Sequence, residues 1–264
     1  MTASPLIRVM SFNIRYGTAP DGEHRWENRR ALALARIHAF APDLLGLQEC
    51  RDDAQAEFVR SHLPAYEFYG VRREGGGDSA LEMAPLLFRR AAFQLRRAGH
   101  FWLSDTPAVP GSKSWDSTFA RTAVWAELLH IPTGRPLTFL NTHFDYQPAA
   151  IAEAARLLRA WLAHSGPPAP VIVTGDFNAD QASPAYRLLA DSEVLFDAYR
   201  LAHPGSAAEP TFHGFGAPAA RQAIDWILVS GHFAVAEAAV DQTSAAGQFP
   251  SDHYPLLAVL NWKA

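Results

Sequence analysis

The chain has 264 residues, 48% hydrophobic and 19% charged, which excludes a disordered or fibrous protein and is enough for one large core. Lys and Arg number 23 against 27 Asp and Glu, a formal net charge of −4, so no global positive field gathers nucleic acid; such binding would need a local basic patch or metal ions. The single cysteine, Cys50, excludes an intramolecular disulfide.

The opening MTASPLIRVMSFN lacks the apolar stretch of a secretory leader, and no run approaches the roughly 18 to 20 apolar residues of a membrane span. The expectation is a cytoplasmic protein, monomeric or weakly associating, with no obligate protein partner. In chain order, Leu6 to Ile14 reads as a strand ending at Asn13, and WENRRALALARIHAFAP predicts a helix from Asn28 to Phe40, closed by Pro42. Asp43 to Cys50 reads as a short buried strand with Glu49 at its end, and Asp53 to Leu63 as a helix; YEFYGV and MAPLLFRR read as strands. Thr122 to Ile131 and Leu137 to Thr142 flank PTGR as a hairpin.

Ile151 to Leu162 predicts a helix, Val171 to Thr174 a strand, SPAYRLLAD a short helix, and Ala223 to Ser230, FAVAEAAV and PLLAVLNW three more strands. The Pro and Gly clusters at 104 to 114, 165 to 170 and 203 to 218 read as loops of one domain over residues 1–264. About ten strands with few helices are too many for a simple doubly wound sheet. The pattern fits an α/β fold of the four-layer sandwich type, two packed mixed β-sheets flanked by helices.

Polar residues recur where these strands end. Asn13, Glu49, His143 with Asp145, Asp176 with Asn178 in GDFNAD, Asp225, and Asp252 with His253 all sit at such positions. One alone is an Asx turn, but the recurrence suggests a shared rim. Carboxylate and amide oxygens suit a hard ion, Mg²⁺ or Mn²⁺, and no Cys and His cluster has the spacing of structural zinc. A His beside a carboxylate is the natural proton-transfer or phosphate-contacting group near neutral pH.

The ordered set SFNIR, GLQE, NTHFD, GDFN, IDWI and SDHYP, running from residue 11 to residue 254, resembles the endonuclease/exonuclease/phosphatase superfamily. Within it the chain is similar to a bacterial branch with an FNIRY-like start, a Trp and Arg pair in the next helix and a SKSWD segment before a strand-borne Arg. The resemblance implies that Glu49 is the main metal ligand, with Asn13 contacting the metal region or the phosphate. It implies that Asp176 and Asn178 orient and activate the attacking water, with Asp176 also near the metal. It implies that His253, partnered by Asp225, contacts a non-bridging phosphoryl oxygen, and that Asp252 is a further metal or water ligand. His143 corresponds to the second histidine, with Glu82 where that histidine's glutamate partner would fall, and Arg121 to an arginine that clamps the phosphate.

Other residues read less specifically. Trp115 could line the pocket, His213 or Phe215 of TFHGF could meet the leaving group, and Asp145 could hold the loop after His143. Trp26 and Arg30 stand near the rim at a helix start, where packing is the more ordinary role. Arg25, Arg29 and Arg30, and Arg72, Arg73, Arg89 and Arg90, read as ordinary solvated charge, and Cys50 as a core thiol. The expected activity is divalent-metal-dependent phosphoester hydrolysis by in-line attack of water, on small or exposed esters, with a phosphodiesterase ahead of a monoesterase. The alternatives are a nuclease acting on RNA or single-stranded DNA, an inositol-phosphate or other phosphomonoesterase, and a non-catalytic protein that binds phosphorylated ligands.

Overall fold

The computed structural model describes residues 6–164, 170–190, 194–217 and 221–263. Residues 1–5, the loop readings at 165–169 and 218, and the end of the SPAYRLLAD helix at Asp191 lie outside these. The chain opens with β1 (Ile7–Asn13), α1 (Trp26–Phe40), β2 (Leu44–Gln48), β3 (Cys50–Arg51), α2 (Ala54–His62), β4 (Tyr66–Tyr69), β5 (Glu82–Met83) and β6 (Leu86–Arg89). It continues with β7 (Phe93–Trp102), β8 (Thr122–His130), β9 (Arg135–His143), α3 (Pro148–His164), β10 (Val171–Asp176) and α4 (Pro184–Ala190). It closes with β11 (Leu195–Asp197), α5 (Ala198–Ala202), β12 (Asp225–Ser230), β13 (Phe233–Val240) and β14 (Leu256–Trp262).

Two six-stranded sheets form, in the orders β13-β14-β1-β2-β6-β4 and β11-β12-β10-β9-β8-β7, and β3 pairs with β5 apart from both. Both sheets are mixed: β1 runs parallel to β2 and β10 parallel to β9, while the neighbours are antiparallel. A parallel pair needs a long crossover. In the sequence α1 lies between β1 and β2, and α3 between β9 and β10. Ile7, Val9, Leu44, Val124, Phe139, Ile172 and Ile227 pack together between the sheets. Ala33 and Ile37 of α1 and Val59 of α2 cover the outer face of the first sheet, and Ala155, Leu158 and Leu189 of α3 and α4 that of the second. This is the expected four-layer sandwich.

Polar side chains bridge the two sheets. Gln48 Nε2 donates to Asn141 Oδ1 at 2.7 Å, Thr174 Oγ1 donates to the same oxygen at 2.9 Å, and Asn141 Nδ2 donates to the carbonyls of Leu47 and Pro85. Gly46 makes that approach possible, since a Cβ there would lie 2.1 Å from Thr174 Oγ1 and 2.4 Å from Asn141 Oδ1. Gly46→Ala is therefore expected to destabilise the fold by about 3 kcal/mol through overpacking. Denaturant unfolding checks this, and a loss under about 1 kcal/mol would show that the sheets can part at that point.

The structure corrects the element reading: MAPLLFRR divides into β5 and β6, and β11 and α5 were not anticipated. Asp43 to Cys50 is not one strand: Glu49 takes a left-handed φ of 58° and separates β2 from β3. The ten-residue β7 was not anticipated, because it is an edge strand of largely exposed FQLRRAGHFW with no clean apolar alternation.

Candidate active site

Register decides which side chains meet. At the end of β10, Asp176 pairs across to His143 of the parallel β9 and to Asp225 of the antiparallel β12. In the first sheet Asn13 ends β1 opposite Gln48, the residue before Glu49. Asp252 and His253 come just before β14, which runs antiparallel to β1. The carboxyl ends of the parallel strands and the entries to their antiparallel neighbours thus share one edge of the sandwich, where open α/β sheets hold ligands.

All these groups are buried. Asn13 joins the two sheets: its Nδ2 donates to Glu49 Oε1 at 3.0 Å and to Asp176 Oδ2 at 2.9 Å. Glu49 Oε2 accepts from the Tyr16 N–H at 3.1 Å. Although burial opposes its charge, Arg15, the Asn13 amide and His253 hold the Glu49 carboxyl below the usual carboxylate range. Burial, together with the Asp225 carboxylate, raises Asp176 to about 7. Burial also raises Asp252, aided by Glu49 and opposed by His253 and Arg15, whose Nε lies 3.6 Å away.

The two histidines are pushed in opposite directions. His253 donates Nδ1–H to Asp225 Oδ2 at 2.8 Å, and although burial opposes it, Asp225 with Asp176 and Asp252 lifts the imidazolium to about 10. His143 lies far below its ordinary value, through burial and the charges of Arg121 and Arg73. Arg121 Nη1 is 2.9 Å from His143 Nδ1, and a guanidinium can only donate, so Nδ1 accepts and the ring proton is on Nε2. His143 Nε2 faces Asp176 Oδ2 at 3.5 Å. Asn178 Nδ2, 3.2 Å from the same nitrogen, gives its hydrogen bond to the Phe144 carbonyl at 2.9 Å, while the Asn178 N–H donates to Asp176 Oδ1.

The donor set fits a hard divalent cation. Glu49, His143 and Asp176 form one group with converging ligand atoms, and Asp176, Asp225 and His253 another, while Asp225 Oδ1 is buried without a hydrogen-bond partner. Both histidines present N–H toward Asp176, which leaves the carboxylate and amide oxygens as the cation-seeking atoms.

Several expectations for individual residues change. Glu82 is not the partner of His143: its carboxylate accepts from Arg73 Nη2 at 2.7 Å, and Arg121 occupies His143 Nδ1. Glu82, Arg73, Arg121 and His143 do line one cavity of about 10 Å³, and burial with the nearby Glu49 raises Glu82 to about 7. Trp115 gives its indole N–H to Asp105 at 2.9 Å, and among the described residues no hydrogen bond or ring contact joins it to Glu49, Asp176, Asp225 or Asp252. Phe215 stacks on His24 with ring centroids 4.4 Å apart, a packing anchor. His213 is buried against Tyr254; its Nδ1 accepts from the Gly216 N–H and its Nε2 has no partner.

Asp145 accepts the N–H groups of Thr118 and Phe119 and so holds the loop beside Arg121. Trp26 packs on Phe58 and Arg30 lies over the same ring, both as packing. Arg73 and Arg29 are buried, not solvated, and only tertiary structure shows it. Two larger hollows, of about 420 Å³ beside Tyr186 and Pro204 and about 430 Å³ beside Trp125 and Trp161, include none of the convergent carboxylates. The buried charges mark the candidate site, not the volume.

This edge of the sandwich has the fold and donor chemistry of a metal-dependent hydrolytic enzyme. Residues 10–253 match the Endonuclease/Exonuclease/phosphatase family, and the chain belongs to it. An endonuclease/exonuclease/phosphatase from Bacteroides vulgatus is 32% identical, covering 98% of this chain and 100% of its own, with a TM-score of 0.89. A mannosyl-6-phosphatase from Bacteroides thetaiotaomicron VPI-5482 is 31% identical over 97% of this chain and 100% of its own, at a TM-score of 0.88. Rat nocturnin is 26% identical over 96% of this chain, which spans 64% of nocturnin's length. Among the described residues no helix is long and apolar enough to cross a membrane.

Proposed function

We propose that the protein is a Mg²⁺- or Mn²⁺-dependent phosphomonoesterase acting on small phosphorylated molecules such as sugar phosphates. The observation that carries hydrolysis is the convergence of Glu49, Asn13 and Asp176 with the His253–Asp225 pair from both sheets. A divalent ion held by Glu49 and Asp176, with Asn13 and Asp252 beside them, would supply positive charge to the phosphoryl oxygens. Asp176 and Asn178 hold the attacking water in line, and Asp176 takes its proton. His253 Nε2–H donates to a non-bridging oxygen as charge grows there, and His143 Nε2–H hydrogen-bonds the departing oxygen, which takes its proton from solvent water as it leaves.

The sequence alone puts a diester ahead; Arg121 and the mannosyl-6-phosphatase relative favour a monoester. A terminal phosphoryl group has one more unesterified oxygen and one more negative charge than a diester. Arg121 Nε and Nη2 are buried without hydrogen-bond partners beside His143, Nε in an ion pair with Asp145 Oδ2 at 3.8 Å, and such donors suit that added charge.

The test is hydrolysis, with Mg²⁺ or Mn²⁺, of hexose 6-phosphates, inositol phosphates, p-nitrophenyl phosphate, bis(p-nitrophenyl) phosphate, single-stranded DNA and RNA. The expected kcat/KM for the best monoester exceeds that for bis(p-nitrophenyl) phosphate by at least about tenfold, and Arg121→Lys narrows the ratio. A diester or nucleic acid cleaved faster than every monoester would overturn the monoester reading, and no metal-dependent turnover would leave a phospho-ligand binding protein.

A further inference from the structure

Arg29 has no exposed surface, and all its hydrogen bonds go to main-chain carbonyls. Nη1 donates to Ile14 at 2.5 Å and to Pro250 at 3.2 Å, Nη2 to Arg15 at 2.8 Å, and Nε to His24 at 2.8 Å. The guanidinium also lies over the Trp26 ring at 5.1 Å and near the Phe215 ring at 5.9 Å. Burying a guanidinium is expensive, and a hydrophobic side chain in α1 would pack at less cost. What the charge gains here is a set of joints between segments distant in sequence.

Those segments are the ones that present the candidate active-site groups. Ile14 and Arg15 follow Asn13 directly, and the Arg15 N–H returns to Asn13 Oδ1 at 2.9 Å. Pro250 comes two residues before Asp252. Phe215 sits in the turn whose His213 and Gly214 N–H groups donate to the Asp252 carbonyl at 2.9 and 3.1 Å. We infer that Arg29 is a positioning residue, whose fork fixes the exit of β1 and the approach to β14 against each other and so sets Asn13 relative to Asp252 and His253. This rests on the hydrolase reading for its catalytic consequence, but not for the geometry.

Lys keeps the charge but is a point donor that cannot span carbonyls on two segments, so Arg29→Lys should behave as a loss and not as a conservative change. The expected result is a kcat lower by about ten- to a hundredfold with KM changed less than about threefold, and weaker Mn²⁺ binding by calorimetry. Leu137→Ala, a core change in β9 well before His143, controls for stability loss alone and should lower the Tm without that drop in kcat. Hydrogen exchange supplies a readout free of turnover: peptides over 11–18 and 248–254 should exchange faster together in Arg29→Lys, with the centre of β9 unchanged.

Arg29→Lys with kcat and Mn²⁺ affinity within about twofold of wild type, or a kcat loss no greater than in a control of equal Tm, would overturn the positioning role. If the wild type neither turns over substrate nor binds Mn²⁺, the hydrolase reading fails and exchange decides alone. Paired acceleration then upholds the coupling, and unchanged exchange in either segment refutes it.

Discussion

Asp176→Asn is expected to lower kcat about a thousandfold or more while making the metal-free protein more stable at pH 8. The catalytic half follows from position, because Asp176 lies at the centre of Asn13, Asn178, His143 and His253 and is the carboxylate proposed to take the water's proton. An amide can neither take that proton nor bring the same charge to a cation. The stability half follows from burial, which with Asp225 raises this carboxyl from 3.8 to about 7. The folded protein therefore holds the proton more tightly than the unfolded chain. The resulting handicap is absent below 3.8, grows as pH rises and is complete above about 7.

Asn removes that handicap but must turn its NH2 toward a donor, the Asn178 N–H or the Asn13 amide, so the net gain is about 1 kcal/mol, or roughly 2–4 °C. Mg²⁺ or Mn²⁺ should reverse the order by raising the wild-type Tm and leaving the variant's unchanged. Thermal melts in EDTA and in metal at pH 8, beside steady-state rates, decide it. A variant that melts lower than wild type in EDTA would show that the carboxylate stabilises the empty fold, contrary to this account.

The parts of the site that were legible in the sequence are those whose position along a strand is enough to place them. Asn13, Glu49, His143, Asp176, Asp225 and His253 stand at strand ends or just outside, and the parallel pairs with their antiparallel neighbours bring those ends to one edge. What was not legible depends on which side chain faces which across the sandwich. Glu82 and Arg121 are both near His143, but only the folded register puts the guanidinium on Nδ1 and turns Glu82 to Arg73. Arg29 reads as one of three solvated arginines in RWENRR, because nothing local distinguishes a charge that will meet carbonyls of residues 14 and 250. Phe215 of TFHGF reads as a loop residue that could meet the leaving group, yet its left-handed φ of 55° accompanies a stack on His24.

His253→Gln should lower kcat about a thousandfold, and Asp225→Asn about a hundredfold, because the first removes the donor and the second only the charge that keeps it protonated. In the metal-free protein the His253 imidazolium persists to about 10, since Asp225 at 2.8 Å, with Asp176 and Asp252, outweighs the burial that opposes it. Asn at 225 removes the nearest charge, and the ring should then titrate well below that value, below 6.5 if burial prevails. The pair also contributes stability, fully present below 6.5 and lost as pH rises through about 10. Asp225→Asn should therefore be less stable than wild type near pH 7, with the gap closing above pH 10. Ring ¹⁵N shifts followed through pH, together with urea unfolding at pH 7 and pH 10.5, report both consequences. A wild-type ring that titrates near 6.5 would remove the standing imidazolium, and His253 would then have to gain its proton only when a phosphoryl group arrives.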